Sequence, residues 1–189
     1  FRRAYLQALK RIAEEAMWSG DVNPVCDANY AALSANGVAA YSPADLESWI
    51  SLRRTYILSQ LGAYEAPFAV SNNGGADFST NRNGIVLQGT APLGVKTLLI
   101  NGSAYTPTWN STSNWSVRVV LVSGSNTLSI VGLDADGNPV GGASDSINVV
   151  FTGPDESPAG NLVINEIMYS PTNEGAQFVE IVNLSATAA

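Results

Sequence analysis

Residues 114–140 read NWSVRVVLVSGSNTLSIVGLDADGNPV, and this stretch decides the fold. Apolar and polar residues alternate through SVRVVLV and again through TLSIVGL. A period of two is typical of β-strands that bury one face. The turn-forming segment SGSN at 123–126 separates the two runs, and DADGN at 134–138 follows the second. The stretch therefore predicts antiparallel strands joined by tight turns.

The same pattern extends over residues 66–152, where no helical period is found. Further strand candidates are GIVLQG, KTLLI and SINVVF, and Asn101-Gly102 is the strongest hairpin signal, because a type I′ turn needs a positive φ at both central residues. Short strands without intervening helices predict an antiparallel β-sandwich. Its inward-facing residues are expected to be Ile85, Leu87, Val117, Val119, Leu121, Leu128, Ile130, Ile147, Val149 and Phe151.

The first 65 residues instead have a helical pattern. Residues 1–18 predict an amphipathic helix with Arg3 outside the apolar stripe, and a shorter helix is expected from Cys26 to Ala35. The third helix has Ser42 as its N-cap and Gly62 after its end. The apolar stripe of the first helix is expected to be Tyr5, Leu9, Ile12 and Ala16, widened by Leu6, Ala13 and Met17. That of the third is expected to be Leu46, Ile50, Ile57 and Leu61.

Composition excludes several function classes. With 16 acidic and 9 basic residues the net charge is −7, whereas nucleic-acid-binding proteins typically carry a basic patch. The chain has no histidine, so Ser-His-Asp and Cys-His catalysis are excluded within it. The single cysteine, Cys26, can form neither an intrachain disulfide nor a zinc site, and we expect a buried thiol. No apolar run approaches the roughly 18 residues of a membrane span.

The last part of the chain predicts a linker and a hairpin. Residues 153–160, GPDESPAG, are rich in Pro, Gly and acidic side chains, which is typical of a linker. Two strand-like runs follow, LVINEIMY and QFVEIVN, joined by SPTNEGA. Because an isolated hairpin is marginal in water, we expect it to belong to a larger sandwich. We also expect both Phe1 and Ala189 to be cuts in a longer chain.

Three segments resemble known families. Residues 78–151, through GIVLQGTAP, VKTLLINGSAYTPT and NWSVRVVLVSGSNTLSIVGLDADGNPV, resemble immunoglobulin-like modules found beside catalytic domains in secreted bacterial proteins. LVINEIMYSP followed by FVEIVN resembles the opening of a lamin-tail domain, with Ser170 and Gln177 replacing the commoner asparagine and glutamate. FRRAYLQALKRIAEEAM and WISLRRTYILSQL resemble the last helices of the spore-coat-H (CotH) kinase-like family, which often precedes modules of these two kinds.

These resemblances imply an α+β multidomain fragment. Residues 1–65 would be the C-terminal end of a CotH kinase-like domain, 66–152 an immunoglobulin-like β-sandwich, 153–160 a linker, and 161–189 the truncated start of a lamin-tail domain. Members of the kinase-like family transfer phosphate from ATP. The resemblance implies that their acidic, metal-binding residues lie upstream of this segment. No residue here is therefore assigned a catalytic, cofactor-binding or metal-binding role, and ATP and a divalent metal belong to the parent chain.

The turn DADGN has oxygen ligands at alternate positions, as a calcium loop requires. Asp134, Asp136 and Asn138 supply them, and Asp145 follows eleven residues after the first. The sixth position is Pro139, where the EF-hand pattern needs glycine. The sequence therefore favours a hairpin turn over a calcium site.

Aromatic residues in a Ser/Thr/Asn-rich context suggest a sugar-stacking surface. Tyr105, Trp109 and Trp115 lie within eleven residues of one another. Aromatic side chains also supply much of the buried area of a small sandwich. Since Trp115 precedes an inward-alternating strand, we expect it in the core, and both interpretations stay open for Trp109.

The remaining polar motifs favour ordinary surface roles. Glu166 and Glu180 could form a carboxylate pair, although solvated carboxylates are far commoner. Arg53 and Arg54 could contact phosphate, but pairing with the acidic residues earlier on the same helix, Asp45 and Glu47, is favoured. Glycosylation acceptor patterns at Asn101, Asn110, Asn114 and Asn183 carry no information if the source is bacterial.

The leading functional hypothesis is a non-catalytic spacer or interaction segment of a secreted or cell-surface bacterial multidomain protein. Its partners would be neighbouring domains of the same chain, or a cell-surface polysaccharide or protein. One alternative is a helical subdomain that supports an ATP-dependent kinase-like enzyme whose active site lies upstream. Another is a carbohydrate-binding sandwich that works through Trp109 and Tyr105.

Overall fold

The computed structural model describes residues 1–154, 159–173 and 175–184. The chain forms two compact units, Phe1–Thr152 and Gly153–Ala189. The first unit contains both the helical segment and the β-sandwich. The domain boundary predicted after residue 65 stays a prediction, and the contacts that cross this position are described below.

Three helices open the first unit. α1 spans Arg2–Arg11 and continues into a π-helical turn at Ile12–Ala16, which together match the predicted first helix. α2 spans Ser19–Ala35 and begins seven residues earlier than predicted. The added turns contain Gly20 and Pro24, residue types that disfavour a helix interior. α3 spans Ala44–Leu61 and is followed by a short 3₁₀ turn, Gly62–Tyr64.

The helical caps and stripes differ from the prediction in detail. Pro43 takes the N-cap position of α3, and the Ser42 hydroxyl lies 3.4 Å from the amide nitrogen of Ala44. On α1, the exposed residues include Tyr5 and Ile12. The face of this helical segment that is buried carries Arg3, Leu6 and Ala13. The prediction was therefore wrong for Tyr5 and Ile12 and confirmed for Leu6 and Ala13, while Leu9 packs against the same cluster as Leu6. The buried side is shifted from the centre of the predicted stripe because the helix packs against Leu61 and Leu93.

Nine strands form the sandwich. The first sheet has the order β1-β3-β7-β6 and the second β2-β9-β8-β4-β5. All described pairings are antiparallel except that of β2 with β9, which is parallel. The strands are β1 Ala69–Val70, β2 Phe78–Thr80, β3 Gly84–Thr90, β4 Thr97–Ile100, β5 Ser103–Tyr105, β6 Thr108–Trp109, β7 Asn114–Val120, β8 Gly124–Leu133 and β9 Pro139–Phe151.

This strand order is that of an immunoglobulin-like sandwich. The strands β1, β3, β7 and β6 occupy the places of A, B, E and D in one sheet, and β9, β8 and β4 those of G, F and C in the other. The first strand of the fold is divided between the sheets, because β1 pairs in one and β2 in the other. The predicted class, helices followed by an antiparallel immunoglobulin-like sandwich, is confirmed.

Inward-facing side chains of both sheets form the core. Nine of the ten predicted inward residues are buried, and Ile85 is half-buried against the same cluster. Trp115 is buried as predicted, and its indole Nε1 donates to the Thr90 carbonyl at 2.9 Å. The ring stacks on Phe68 at a centroid distance of 6.1 Å. Burial of this large ring is complete because its one polar atom has a partner.

The predicted Asn-Gly hairpin is confirmed. Asn101 has φ 47° and Gly102 φ 82°, both in the left-handed region that a type I′ turn requires. The turn joins β4 to β5, with Ile100 paired to Ser103. The Asn101 side chain also contacts β8, where its Oδ1 accepts a hydrogen bond from the Ser129 amide at 2.8 Å.

The second unit contains an antiparallel hairpin. β10 spans Leu162–Met168 and β11 spans Phe178–Asn183, with a bulge between Ile164 and Glu166. The predicted two-stranded hairpin is confirmed. Part of the predicted linker, residues 155–158, lies outside the described residues, as do residues 174 and 185–189. Within the described hairpin most apolar side chains are exposed.

Candidate functional site

The most elaborate polar arrangement in the described residues lies where α1 meets one end of the sandwich. The β3–β4 loop (residues 91–96) and the β6–β7 loop (residues 110–113) form this end. Leu93, at the tip of the first loop, is completely buried between Leu6 of α1 and Leu61 of α3. A small apolar cluster therefore continues from the helices into the sandwich end.

Arg3 is buried in the same place. Its side chain is only 7% exposed, and its guanidinium donates to the backbone carbonyls of both loops. Nη2 lies 2.7 Å from the Pro92 oxygen and 2.6 Å from the Val95 oxygen, and Nη1 donates to the Thr112 oxygen. The guanidinium carbon lies 3.4 Å from the ring centroid of Trp109, in a cation–π contact. We call this arrangement the arginine clamp.

The clamp works with a charged arginine at neutral pH. Burial lowers the pKa of Arg3 to about 10, and the negative charge of Glu65 opposes that shift. The side chain therefore stays protonated under physiological conditions and donates through Nη1 and Nη2. Hydrogen bonds from an ionised donor are roughly twice as strong as neutral ones.

Two more side chains of the helical segment bind the same loop. Gln7 Nε2 donates to the Leu93 and Val95 carbonyls at 2.8 and 2.9 Å. Glu65 Oε2 accepts from the Leu93 amide at 2.9 Å, while its other oxygen pairs with Lys10 at 2.5 Å. Both backbone groups of Leu93 are thus bonded by helical side chains. Most donors and acceptors of the site are bonded to each other, and the exception is Arg3 Nε, which is buried without a hydrogen-bond partner.

The sequence pattern missed Arg3 as a site residue. Helical spacing places it outside the predicted apolar stripe, and a charged side chain there is usually solvated. The signal that could have found it is the spacing of Arg3, Leu6 and Gln7. Residues at i, i+3 and i+4 lie on one helix face, and all three contact the β3–β4 loop.

A cleft of about 430 Å³ lies beside the clamp, between α1 and the β8–β9 turn. Small side chains, including Ala8 and Ala135, contribute to its walls, and charged residues also line it. Arg11 Nη2 lies 3.5 Å from Asp136 Oδ2 across the cleft. This exposed ion pair joins α1 to the turn.

The DADGN segment forms the β8–β9 hairpin turn that the sequence favoured. Asp134 Oδ1 accepts from the amides of Asp136 and Asn138 at 2.9 and 2.8 Å, and these bonds lower the pKa of its carboxyl. Asp145 lies six residues along β9 from Pro139, about 20 Å at the usual rise of a strand. Its Oδ2 accepts from the Val70 amide at 2.7 Å. The structure therefore separates Asp145 from the other calcium candidates. Within the described residues, no group of three or more Asp, Glu, Cys or His side chains is arranged to hold a metal ion.

The aromatic candidates fall at the edge of the sandwich. Trp109 is half-buried, and one ring face is covered by the Arg3 guanidinium. Tyr105 is half-buried against the core and pairs with Leu98 across β4 and β5. The sugar-stacking hypothesis stays a prediction, and the covered ring face is closed to such a ligand.

The other candidates have local partners. Arg54 Nε donates to the Ala13 carbonyl at 2.9 Å, and its guanidinium lies 5.3 Å from the Trp18 ring centroid. Arg53 lies 5.4 Å from the Tyr56 ring centroid. The predicted pairing of these arginines with Asp45 and Glu47 is not among the ion pairs of the described helices. Arg54 does not form the predicted pair because its side chain points to the π-helical turn at Ile12–Ala16, where it bonds the Ala13 carbonyl.

Cys26 and the two glutamates of the hairpin complete the set of predicted candidates. Cys26 is half-buried instead of fully buried. Glu166 and Glu180 are direct neighbours across the β10–β11 hairpin, and Glu180 Oε1 accepts from Asn165 Nδ2 at 2.9 Å.

Of the helices in the described part of the chain, none combines the length and apolarity needed to cross a bilayer.

Comparisons with known proteins leave the family open. No protein-family model and no curated protein matches the chain. Among solved structures, a fibronectin(III)-like module of Clostridium thermocellum CbhA is similar at 14% identity and a TM-score of 0.33, covering 46% of this chain and 96% of that one. Bacteroides ovatus SGBP-B, solved with a mixed-linkage heptasaccharide, is similar at 11% identity and a TM-score of 0.27, covering 41% of this chain and 24% of that one. The fold assignment rests on the strand order instead of these similarities.

Proposed function

We propose that residues 1–152 are a non-catalytic spacer and interaction module of a secreted or cell-surface multidomain protein. The module holds its helices at a fixed orientation to the immunoglobulin-like sandwich. The observation that carries this proposal is the arginine clamp, in which a buried guanidinium of α1 is bonded to carbonyls of two sandwich loops.

The clamp favours one orientation because its alternatives are costly. If α1 rotated or lifted, the Val95 carbonyl would lose its donors from Arg3 and Gln7, and the Thr112 carbonyl would lose its donor from Arg3. Leaving a buried polar group unsatisfied costs about 1–3 kcal/mol. Leu93 would also lose its apolar neighbours, Leu6 and Leu61. A contact of this kind fixes the orientation of the helices relative to the sandwich and needs no catalysed reaction.

The parent protein is proposed from the family resemblances. In this proposal the helices end a CotH kinase-like domain, and the β10–β11 hairpin begins a lamin-tail domain. Two observations support it. α2 buries none of its described side chains, and the hairpin exposes most of its apolar ones. Surfaces of this kind usually pack against further protein.

A second candidate function, support of an enzyme, is suggested by α2, which has no fully buried side chain among its described residues. The helices would then support an ATP-dependent kinase-like enzyme whose active site is formed by other parts of the parent chain. Extending the chain with the residues that precede Phe1 in its parent should slow hydrogen exchange throughout α2. Unchanged exchange in α2 would count against this candidate and would leave the spacer proposal intact.

Hydrogen exchange of an Arg3→Met variant tests the proposed joint. Methionine keeps much of the apolar stem but removes the charge and the donors. We expect α1 amides to exchange at least about tenfold faster than in the unaltered chain, since the variant loses hydrogen bonds from an ionised donor, which contribute about 1.5–3 kcal/mol each. The amides of β7 and β8 should change far less.

Arg2→Met is the matched control. Arg2 is the preceding residue of the same type, and its contacts are an exposed hydrogen bond to the Tyr64 hydroxyl at 2.9 Å and the ring of that tyrosine. This variant should leave the exchange of α1 nearly unchanged. Equal effects of the two substitutions, or rapid exchange of α1 in the unaltered chain, would overturn the proposal.

A further inference from the structure

α3 has two apolar sides, and only one of them is packed. Ile57 and Leu61 face the cluster around Leu93. On another side, a second row of large side chains is between 52% and 69% exposed, and we call it the outer stripe: Leu46, Trp49, Leu52 and Tyr56. Spacings of three and four residues link these four along the helix. Leu46, which the sequence placed on the side of Ile57 and Leu61, is 52% exposed and lies at the edge of the outer stripe.

An apolar helix face of this composition is usually covered in the working molecule. Trp and Tyr are also the residues most enriched among those that dominate binding energy in protein interfaces. The outer stripe is therefore a candidate interface. What identifies its occupant is the arrangement of charge along the helix.

The charges are self-complementary about Trp49. Asp45 lies four residues before Trp49 and Arg53 four residues after it, and both are exposed. In an antiparallel pair of α3 helices with a two-fold axis at Trp49, Asp45 of one copy is level with Arg53 of the other. The same operation places Leu46 level with Leu52. A two-fold axis generates both ion pairs at once, as isologous interfaces do.

We propose that the outer stripe is the interface of a homodimer, in which α3 packs antiparallel on α3 of a second copy of this chain. The aromatic side chains at Trp49 and Tyr56 supply the apolar contact. The Asp45–Arg53 pairs fix the direction and register of the two helices, since a parallel arrangement sets like charges level with one another.

Sedimentation of the full chain over a range of concentrations tests the interface. The unaltered chain should show a monomer–dimer equilibrium. Trp49→Glu should weaken dimerisation by about 30-fold or more, the effect expected for a central aromatic anchor. Ser51→Glu is the matched control, because it adds the same charge to an exposed position on a different side of the helix. A chain that stays monomeric at every concentration, or a dimer insensitive to Trp49→Glu, would overturn the proposal.

Charge reversal then tests the register. Asp45→Arg alone and Arg53→Asp alone should each weaken the dimer, because each sets like charges level with one another across the axis. The double variant restores opposite charges and should recover most of the lost affinity. A double variant that dimerises no better than the single ones would contradict the antiparallel arrangement. Because oligomeric state is the readout, this result is separate from the exchange test of the arginine clamp.

Discussion

Arg3 shows where residue-level reasoning from sequence ends. A pattern of apolar spacing correctly places Trp115 and the alternating residues of β7 and β8 in the core, because their burial depends on the strand to which they belong. The burial of Arg3 depends instead on the carbonyls of Pro92 and Val95, which are about ninety residues away in sequence. Backbone carbonyls have no signature in the side-chain sequence, so the spacing of Arg3, Leu6 and Gln7 could indicate a shared helix face but not the carbonyls that it meets.

Gly89 provides a residue-scale prediction. It lies directly opposite Trp115 on β3, and an added Cβ would be 2.2 Å from the Ala69 oxygen and 2.4 Å from Cζ2 of the tryptophan ring. Gly89→Ala should therefore destabilise the sandwich by about 3 kcal/mol, the upper end for overpacking. Urea denaturation measures the change.

Gly84→Ala is the control for that prediction. Gly84 begins the same strand, and a Cβ added there meets no atom within 4 Å. This variant should stay within about 0.5 kcal/mol of the unaltered chain, as surface substitutions usually do. A loss at Gly89 no greater than that at Gly84 would mean that the ring does not pack against β3 as described.

At the scale of elements, length decided which strands were predictable. The long strands β7, β8 and β9 carry a clear alternation, and their turns have strong signals. β1 and β6 have two residues each, which is too short for any period to be visible. They form because the longer strands offer them an edge to pair with. α2 was predicted only from Cys26 onward, and the turns before it contain Pro24, which is uncommon inside a helix.

The β8–β9 turn gives a prediction on pH. Hydrogen bonds from turn amides hold the pKa of Asp134 below its ordinary value of 3.8. A carboxyl whose pKa is lowered by folding adds stability above its unfolded pKa and loses it as the pH falls through the folded one. Compared with Asp134→Asn, which does not titrate, the unaltered chain should therefore lose stability as the pH falls below about 3.8. Urea denaturation of both chains at neutral and acidic pH measures this, and a difference that is independent of pH would contradict it.

At the scale of the whole molecule, the sequence predicted two kinds of structure but not their joint. The change from helical to strand periods near residue 66 is plain, and strand order confirms the sandwich. Sequence patterns describe each element against a generic core, whereas the joint depends on the particular loop that Leu6, Gln7 and Arg3 meet. The compact unit therefore runs across the predicted boundary, from Phe1 to Thr152.

The central claim is that the helices have a fixed orientation relative to the sandwich. A distance measurement between two spin labels by electron paramagnetic resonance tests it most directly. Spin labels at Tyr5→Cys on α1 and Ser129→Cys on β8, in a Cys26→Ser chain diluted with unlabelled protein, report one intramolecular distance between exposed positions. We expect a single narrow distribution that broadens when Arg3→Met is added. A broad or multiple distribution in the chain that retains Arg3 would contradict the account.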